Sequence, residues 1–283
     1  MRAAESPFVQ TLAEPVAHEA VSSRYFLLTL RAPEIARRAQ PGQFVMLACQ
    51  PDASGLDPLL PRPLAVLDAD PGAGNIRLLY FVAGRGTGIL RAFAASGAGR
   101  GALRIIGPLG RGFEALPGAE AHVGVGGGSG VAPLVFFFRR MPAELPGSRC
   151  LILAARSADQ LARAEAVSAP STRLHEATDD GSRGFRGHAV AALEALLEGE
   201  LRGKRAALYV AGPEPMMEAA AKLARARGLP CRVSLEARMA CGVGVCRACV
   251  VDALTPHAHS GLKRRAICQD GPVFDPCELK AWA

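Results

Sequence analysis

Aromatic residues are scarce: Trp, Tyr and Phe together make up 5% of 283 residues, with a single Trp and three Tyr. A surface that stacks bases needs such rings, so a base-stacking platform is not the design. No apolar run approaches the roughly 18–20 residues that a membrane span requires. The segment Met1-Arg2-Ala3-Ala4-Glu5-Ser6-Pro7 holds no apolar signal core, and the expectation is a cytoplasmic protein with no membrane partner. Long basic runs are missing too, the densest cluster being Lys263-Arg264-Arg265. The net charge of +7 therefore reads as solvated Arg-rich faces, bound phosphates or a partner surface, with no nucleic-acid partner. Internal repeats and low-complexity linkers are absent.

Glycine and cysteine are present in force, at 31 and 8 residues. Hydrophobic residues at 49% and charged residues at 21% suit a globular chain with a real core. Five of the cysteines fall in the last 43 residues, a clustering that points to metal or cofactor ligation in a reducing compartment.

The chain reads as three units. Residues 1–115 are β-rich, with strands over 21–30, 43–48, 64–68 and 76–83 punctuated by Pro-Gly and Gly-Asn turns. A short helix fits 88–95, and 107–113 reads as an irregular loop. This pattern predicts a small antiparallel barrel or sandwich. Residues 116–228 alternate strand and helix four times: strands at 122–126, 150–155, 174–178 and 207–211, helices at 131–140, 160–167, 188–197 and 214–227. That alternation predicts a parallel α/β sheet with its ligand at the strands' carboxyl ends. Residues 229–283 lose periodicity, and so short a segment needs a metal centre to hold it.

Cys241-Gly242-Val243-Gly244-Val245-Cys246-Arg247-Ala248-Cys249 is C-x4-C-x2-C, the plant-type spacing for a [2Fe–2S] cluster completed by a distant fourth thiolate. Cys268 is the natural fourth ligand and Cys277 its competitor. A zinc site would favour paired C-x2-C elements, and only one such pair exists. His257 and His259 read as residues of an exposed loop. Cys49, Cys150 and Cys231 read as inert small hydrophobes.

Further motifs stand where phosphates and nucleotides bind. The stretch from His122 through Gly127, Gly128, Ser129 and Gly130 to Leu134 follows a strand and opens a helix, where backbone N–H groups suit a pyrophosphate. It does not match G-x-G-x-x-G, so glycine richness alone is a weak signal. Gly212-Pro213-Glu214 ends the last strand of the α/β unit and begins its helix. Arg62, held between Pro61 and Pro63, presents a guanidinium on a stiff backbone, and Gly84-Arg85-Gly86-Thr87-Gly88 starts another helix. Arg156-Ser157 can meet the adenosine ribose or a 2′-phosphate, which leaves NAD and NADP both open.

These motifs, in their order along the chain from Arg62 through 84–87, 126–133 and 212–216 to the cysteine loop, resemble the ferredoxin-reductase superfamily. The stretches 234–246 and 267–274 resemble, more narrowly, the electron-transfer subunits of NAD-dependent (class 1B) dihydroorotate dehydrogenase. The resemblance covers nearly the whole chain. It implies an FAD-binding barrel, a nicotinamide-binding α/β domain and a C-terminal [2Fe–2S] domain. It implies FAD contacts from Arg62, Pro63, Leu64 and Ala65, from Leu79, Tyr80 and Phe81, and from Gly86 and Thr87. It assigns the cluster to Cys241, Cys246, Cys249 and Cys268. It also implies a partner FMN subunit that oxidises dihydroorotate, in a heterotetramer of two copies each, with NAD as the acceptor; the sequence itself offers no acid–base dyad. The chain departs from the pattern at Ala65, where the family carries Ser, and at Ala211, where the superfamily often carries Cys. A loop around 255–262 adds length before the fourth Cys. The rival readings are a related flavin/iron–sulfur subunit of another NAD(P)H oxidoreductase and a zinc-stabilised nucleic-acid-binding module.

Overall fold

The computed structural model describes residues 8–51, 57–96, 101–258 and 260–282. The chain begins with β1 (Val9–Ala20), β2 (Tyr25–Arg31), α1 (Pro33–Arg38), β3 (Phe44–Leu47), β4 (Arg62–Asp70), β5 (Asn75–Phe81), α2 (Arg85–Ala95) and β6 (Leu103–Leu109). The six strands close into an antiparallel barrel in the order β1-β2-β5-β4-β3-β6. Alternate residues such as Leu28, Leu30, Val45, Leu47, Val66, Ile76, Leu78 and Ile105 fill its interior. The segment 107–113, expected as a loop, is corrected in its first half. Gly107-Pro108-Leu109 ends β6, which pairs with both β1 and β3 and so closes the barrel. Gly-Pro reads locally as a turn, but the end of a strand tolerates it.

The second half continues with β7 (Ala121–Gly127), α3 (Val131–Arg140), β8 (Ser148–Ala155), α4 (Ala164–Val167), β9 (Thr172–Thr178), β10 (Phe185–Arg186), α5 (Ala189–Glu198), β11 (Ala206–Ala211), α6 (Glu214–Ala226) and β12 (Cys231–Ser234). The last elements are β13 (Val250–Asp252), β14 (Arg264–Ala266), α7 (Ile267–Asp270) and β15 (Val273–Phe274). A seven-stranded sheet runs β10-β9-β8-β7-β11-β12-β15, parallel except where β15 meets β12. The helix expected over 160–167 shrinks to α4. Leu161 and Arg163 are extended, and the Arg163 N–H donates to Val21 O at 2.9 Å, tying the chain to the barrel instead.

Helix α3 joins the two bodies. Its residues Val131 to Phe138 are all buried, as an all-apolar helix requires. Phe136 packs into the barrel core, while Phe137 and Phe138 pack under the sheet. At its end Arg139 Nη1 donates to Asp68 Oδ2 of β4 at 2.7 Å, and Arg140 donates to the Ala69 carbonyl.

Candidate functional site

Strand order reverses between β7 and β11, and their carboxyl ends open a crevice there. The two glycine-bearing segments of the α/β unit meet at this point. Gly130 packs so closely that a Cβ would lie 2.5 Å from the Ala211 carbonyl carbon and from the Gly212 nitrogen. Gly127 stands against Pro213 and Met216, and Gly128 against the Tyr25 hydroxyl. Ser129 and Gly130 open into a cleft of about 260 Å³, whereas Gly212 and Glu214 line an adjoining one. Pro213 is exposed at the lip.

The barrel supplies the opposite wall of the 260 Å³ cleft: Arg62, Pro63, Leu64 and Ala65 from β4, Leu79, Tyr80 and Phe81 from β5, and Thr87 from α2. Arg62 Nη1 donates to Leu60 O at 2.6 Å, and its guanidinium covers Gly86. Thr87 Oγ1 accepts the N–H groups of Ala83 and Gly84 at 2.9 and 3.2 Å and donates to Gly84 O at 3.1 Å. Its hydroxyl is thus spent on the turn, while the first N–H groups of α2, which have no partner within the helix, begin beside the Arg62 guanidinium. Paired this way, a cation and a helix start suit a diphosphate. The Tyr80 hydroxyl is bonded to His18 Nε2 at 2.8 Å, and burial raises its phenol above the ordinary range.

The C-terminal segment forms the third wall with Ser234, Leu235, Glu236, Ala237, Met239 and Pro272. Glu236 is a cleft residue to which sequence reasoning gave no role. Its side chain opens to the cleft, yet the protein packed around it desolvates the carboxyl and raises it above the usual glutamate range. Its one local signal is its place just beyond the carboxyl end of β12, on the ligand-bearing edge of the sheet.

The cysteine loop wraps its sulfurs in backbone N–H groups. Val243 N and Cys246 N each reach Cys241 Sγ at 3.4 Å, and Gly244 N reaches Cys268 Sγ at 3.2 Å. Burial raises the Cys241 thiol, but donation from Cys246 and Val243 outweighs it and brings the thiol down to about 7. Cys268 moves the other way, pushed up to about 12 by burial and by Cys249 beside it. Cys249 raising Cys268 is a crowding of thiols that suits a cationic iron centre, which supplies the missing counter-charge. Cys277 lies in an exposed turn, where its N–H donates to Asp275 Oδ1 at 2.9 Å. His257, expected in an exposed loop, is half-buried with Nε2 3.1 Å from Asp270 Oδ1; His259 lies outside the described residues. Cys49, Cys150 and Cys231 are buried.

The loop is seated on the barrel. Gly242, at φ +72°, leaves no room for a side chain against Met46 of β3, and a Cβ there would also lie 3.2 Å from Leu109. Phe44, two residues from Met46 on the same strand, lines the cleft. One barrel wall therefore carries both the cysteine loop and the cleft. The Arg111 N–H also donates to Gly271 O at 2.6 Å. Arg156 is exposed at the carboxyl end of β8, its carbonyl accepting from Asp180 N at 3.2 Å.

Comparison with known proteins agrees with this geometry. Residues 236–280 match the iron–sulfur cluster binding domain of dihydroorotate dehydrogenase B, and residues 125–222 match the oxidoreductase NAD-binding domain. The chain is 35% identical over 259 residues to the dihydroorotate dehydrogenase B (NAD(+)) electron transfer subunit of Desulforamulus reducens, covering 90% of this chain and 92% of that one. It is also 35% identical to the same subunit of Bacillus caldolyticus, covering 92% and 94%. Among solved structures, an NADH-dependent reduced ferredoxin-NADP oxidoreductase superposes with a TM-score of 0.79 at 29% identity, covering 96% of this chain and 90% of that chain. The ferredoxin reductase of carbazole 1,9a-dioxygenase shares the fold at a TM-score of 0.64 and 22% identity, covering 80% and 68%. The chain belongs to the family of dihydroorotate dehydrogenase B (NAD(+)) electron transfer subunits.

Proposed function

We propose that this chain relays electrons from a partner FMN subunit, which oxidises dihydroorotate to orotate, through a [2Fe–2S] centre and FAD to NAD. The observation that carries the reading is a single cleft walled by barrel, parallel sheet and C-terminal segment, with the cysteine loop seated on the same barrel wall. When bound, the cluster would carry single electrons and the flavin would collect two of them with a proton, the equivalent of the hydride that NAD accepts.

The chain's own residues bind, orient and exclude water. Arg62, with Gly86 and Thr87 at the start of α2, holds the FAD diphosphate. Pro63, Leu64, Ala65, Leu79, Tyr80 and Phe81 shape the flavin's surroundings. Gly127, Gly128, Ser129 and Gly130, with Gly212, Pro213 and Glu214, let a nicotinamide nucleotide approach the sheet edge. Cys241, Cys246, Cys249 and Cys268 hold the cluster. Ala65 and Ala211 present only methyl groups to the cleft, so neither supplies a hydroxyl or a thiol to the reacting rings.

Three units, 1–115, 116–228 and 229–283, carry the three groups. Val245, between Cys241 and Cys246, is 79% exposed, and this apolar tip suits the face on which the partner docks. Two copies of each subunit and a cytoplasmic setting, where thiols stay reduced, complete the reading. A second reading, a subunit of a ferredoxin-NADP type oxidoreductase, is favoured by the superposition at a TM-score of 0.79. Affinity purification of the tagged chain from its own cells separates the two. The expected result is an FMN-containing partner and dihydroorotate-dependent NAD reduction by the pair but not by the chain alone. Turnover by the isolated chain, or recovery of a different redox partner, overturns the first reading.

A further inference from the structure

We propose that Cys150, His175 and Glu200 form a second metal site, for a divalent transition ion of the zinc class, separate from the cysteine loop. Cys150 reads from sequence as an inert small hydrophobe. In the β8–β9 register Cys150 pairs with Arg173 and Ile152 with His175, so these alternate residues share one face of the sheet. Glu200 reaches that face from just beyond Gly199, the C-cap of α5. The Cys150 thiol, a ring nitrogen of His175 and a carboxylate oxygen of Glu200 all lie within 4.8 Å of one another.

The second observation is an orphan. Among the described residues, His175 Nε2 is the buried side-chain nitrogen or oxygen with no hydrogen-bond partner. Glu200 Oε2 stands 3.9 Å from it, beyond hydrogen-bond reach. A buried polar atom left unpaired is costly, so such atoms call for an explanation. Burial, the largest influence, keeps this imidazole neutral against the pull of Glu200, with Arg173 on the same side as burial. A neutral ring with a bare nitrogen is the form that ligates metal.

The other two donors are prepared in the same sense. Arg173 Nη1 holds Glu200 Oε1, which leaves Oε2 turned toward His175. Such outer-shell pairing orients a ligating carboxylate. Burial and the Glu200 charge hold the Cys150 thiol protonated, and Arg173 and Lys204 are the cations that oppose them. A bound divalent ion displaces that proton, giving a thiolate, an imidazole and a carboxylate, with one position left for water. Zinc donors lie about 2.0–2.3 Å from the ion, which sets tetrahedral donors roughly 3.3–3.8 Å apart, so the three must draw together by up to about an ångström on binding. Cys150 stands near the amino end of β8, away from the carboxyl-end crevice, so the site's occupancy is independent of the electron route.

The test uses the chelator-washed holoprotein, with iron content measured throughout, titrated with Zn²⁺ alone and then with Co²⁺. The expected result is one zinc per chain beyond the cluster iron, a thiolate band in the Co²⁺ difference spectrum, and a higher Tm on zinc addition. His175→Gln and the surface variant Glu200→Gln should each weaken binding at least about tenfold while keeping iron and flavin. Cys150→Ser should remove the thiolate band. No stoichiometric zinc uptake, uptake unchanged in His175→Gln and Glu200→Gln, or uptake matched by loss of iron from the cysteine loop would each overturn the proposal.

Discussion

The Arg62 guanidinium lies directly over Gly86, so close that a Cβ on Gly86 would overlap it. Two motifs 24 residues apart are thereby one device, a cation laid across the start of α2. Arg62→Ala should remove a charge-assisted contact of about 1.5–3 kcal/mol, or roughly ten- to a hundredfold in FAD affinity. Gly86→Ala should weaken FAD in the same direction by displacing the guanidinium. Fluorescence titration of the deflavinated protein measures both, and unchanged affinity in both variants would remove Arg62 from the flavin site.

The three thiols of the loop with Cys268, and the exposed Cys277, should separate cleanly. Cys268→Ser leaves Gly244 N facing a poorer iron ligand and should abolish stable cluster assembly, whereas Cys277→Ser should retain two irons per chain. Iron and sulfide analysis with the visible spectrum reads the outcome. A Cys277→Ser variant without iron would reverse the assignment.

Gly130 touches backbone, not a yielding side chain. A methyl group there must push the turn after β7 away from the end of β11, and Gly130→Ala should cost about 1–3 kcal/mol of stability. It should also raise the KM for NADH while iron and FAD contents stay normal. Thermal unfolding and NADH-dependent dye reduction check the two effects. An unaltered KM would place the nicotinamide nucleotide elsewhere.

Glu236 has a definite pH signature. Its carboxyl is raised by desolvation, so the folded chain holds its proton more tightly than the unfolded chain does. Between the unfolded and the folded value, stability therefore falls as pH rises. Glu236→Gln should abolish that loss: its Tm should exceed that of the parent increasingly as pH climbs above the ordinary glutamate range, and match it below. Electrons that arrive singly bring no proton, while hydride carries one to NAD, so the variant should also flatten the pH profile of NAD reduction by the complex. A Tm difference independent of pH would show the carboxyl to be unperturbed.

The cofactor motifs are local features, and local chemistry made them legible. Cys241 to Cys249 announce a cluster by spacing alone, and Gly84 to Gly88 and Gly126 to Gly130 announce helix starts because each helix needs its first N–H groups answered. The alternation of strand and helix after residue 120 likewise fixes a parallel sheet. Residues 103–109 were less legible, because Gly107-Pro108 imitates a turn and only pairing with β1 and β3 makes a strand of it. The one-turn α4 has the same cause, a long-range hydrogen bond from Arg163 to Val21 that local pattern does not contain.

By itself, then, the sequence determined the number and order of the cofactor-type motifs and the C-x4-C-x2-C spacing that marks a cluster loop. Tertiary structure alone decided that β12 and β15 continue the nucleotide sheet, that Glu236 enters the cleft, and that Met46 and Phe44 place the cysteine loop and the cleft on one barrel strand. The physical reason is range. Capping, turn chemistry and ligand spacing act over a few residues, whereas strand order and desolvation depend on which distant segments pack together.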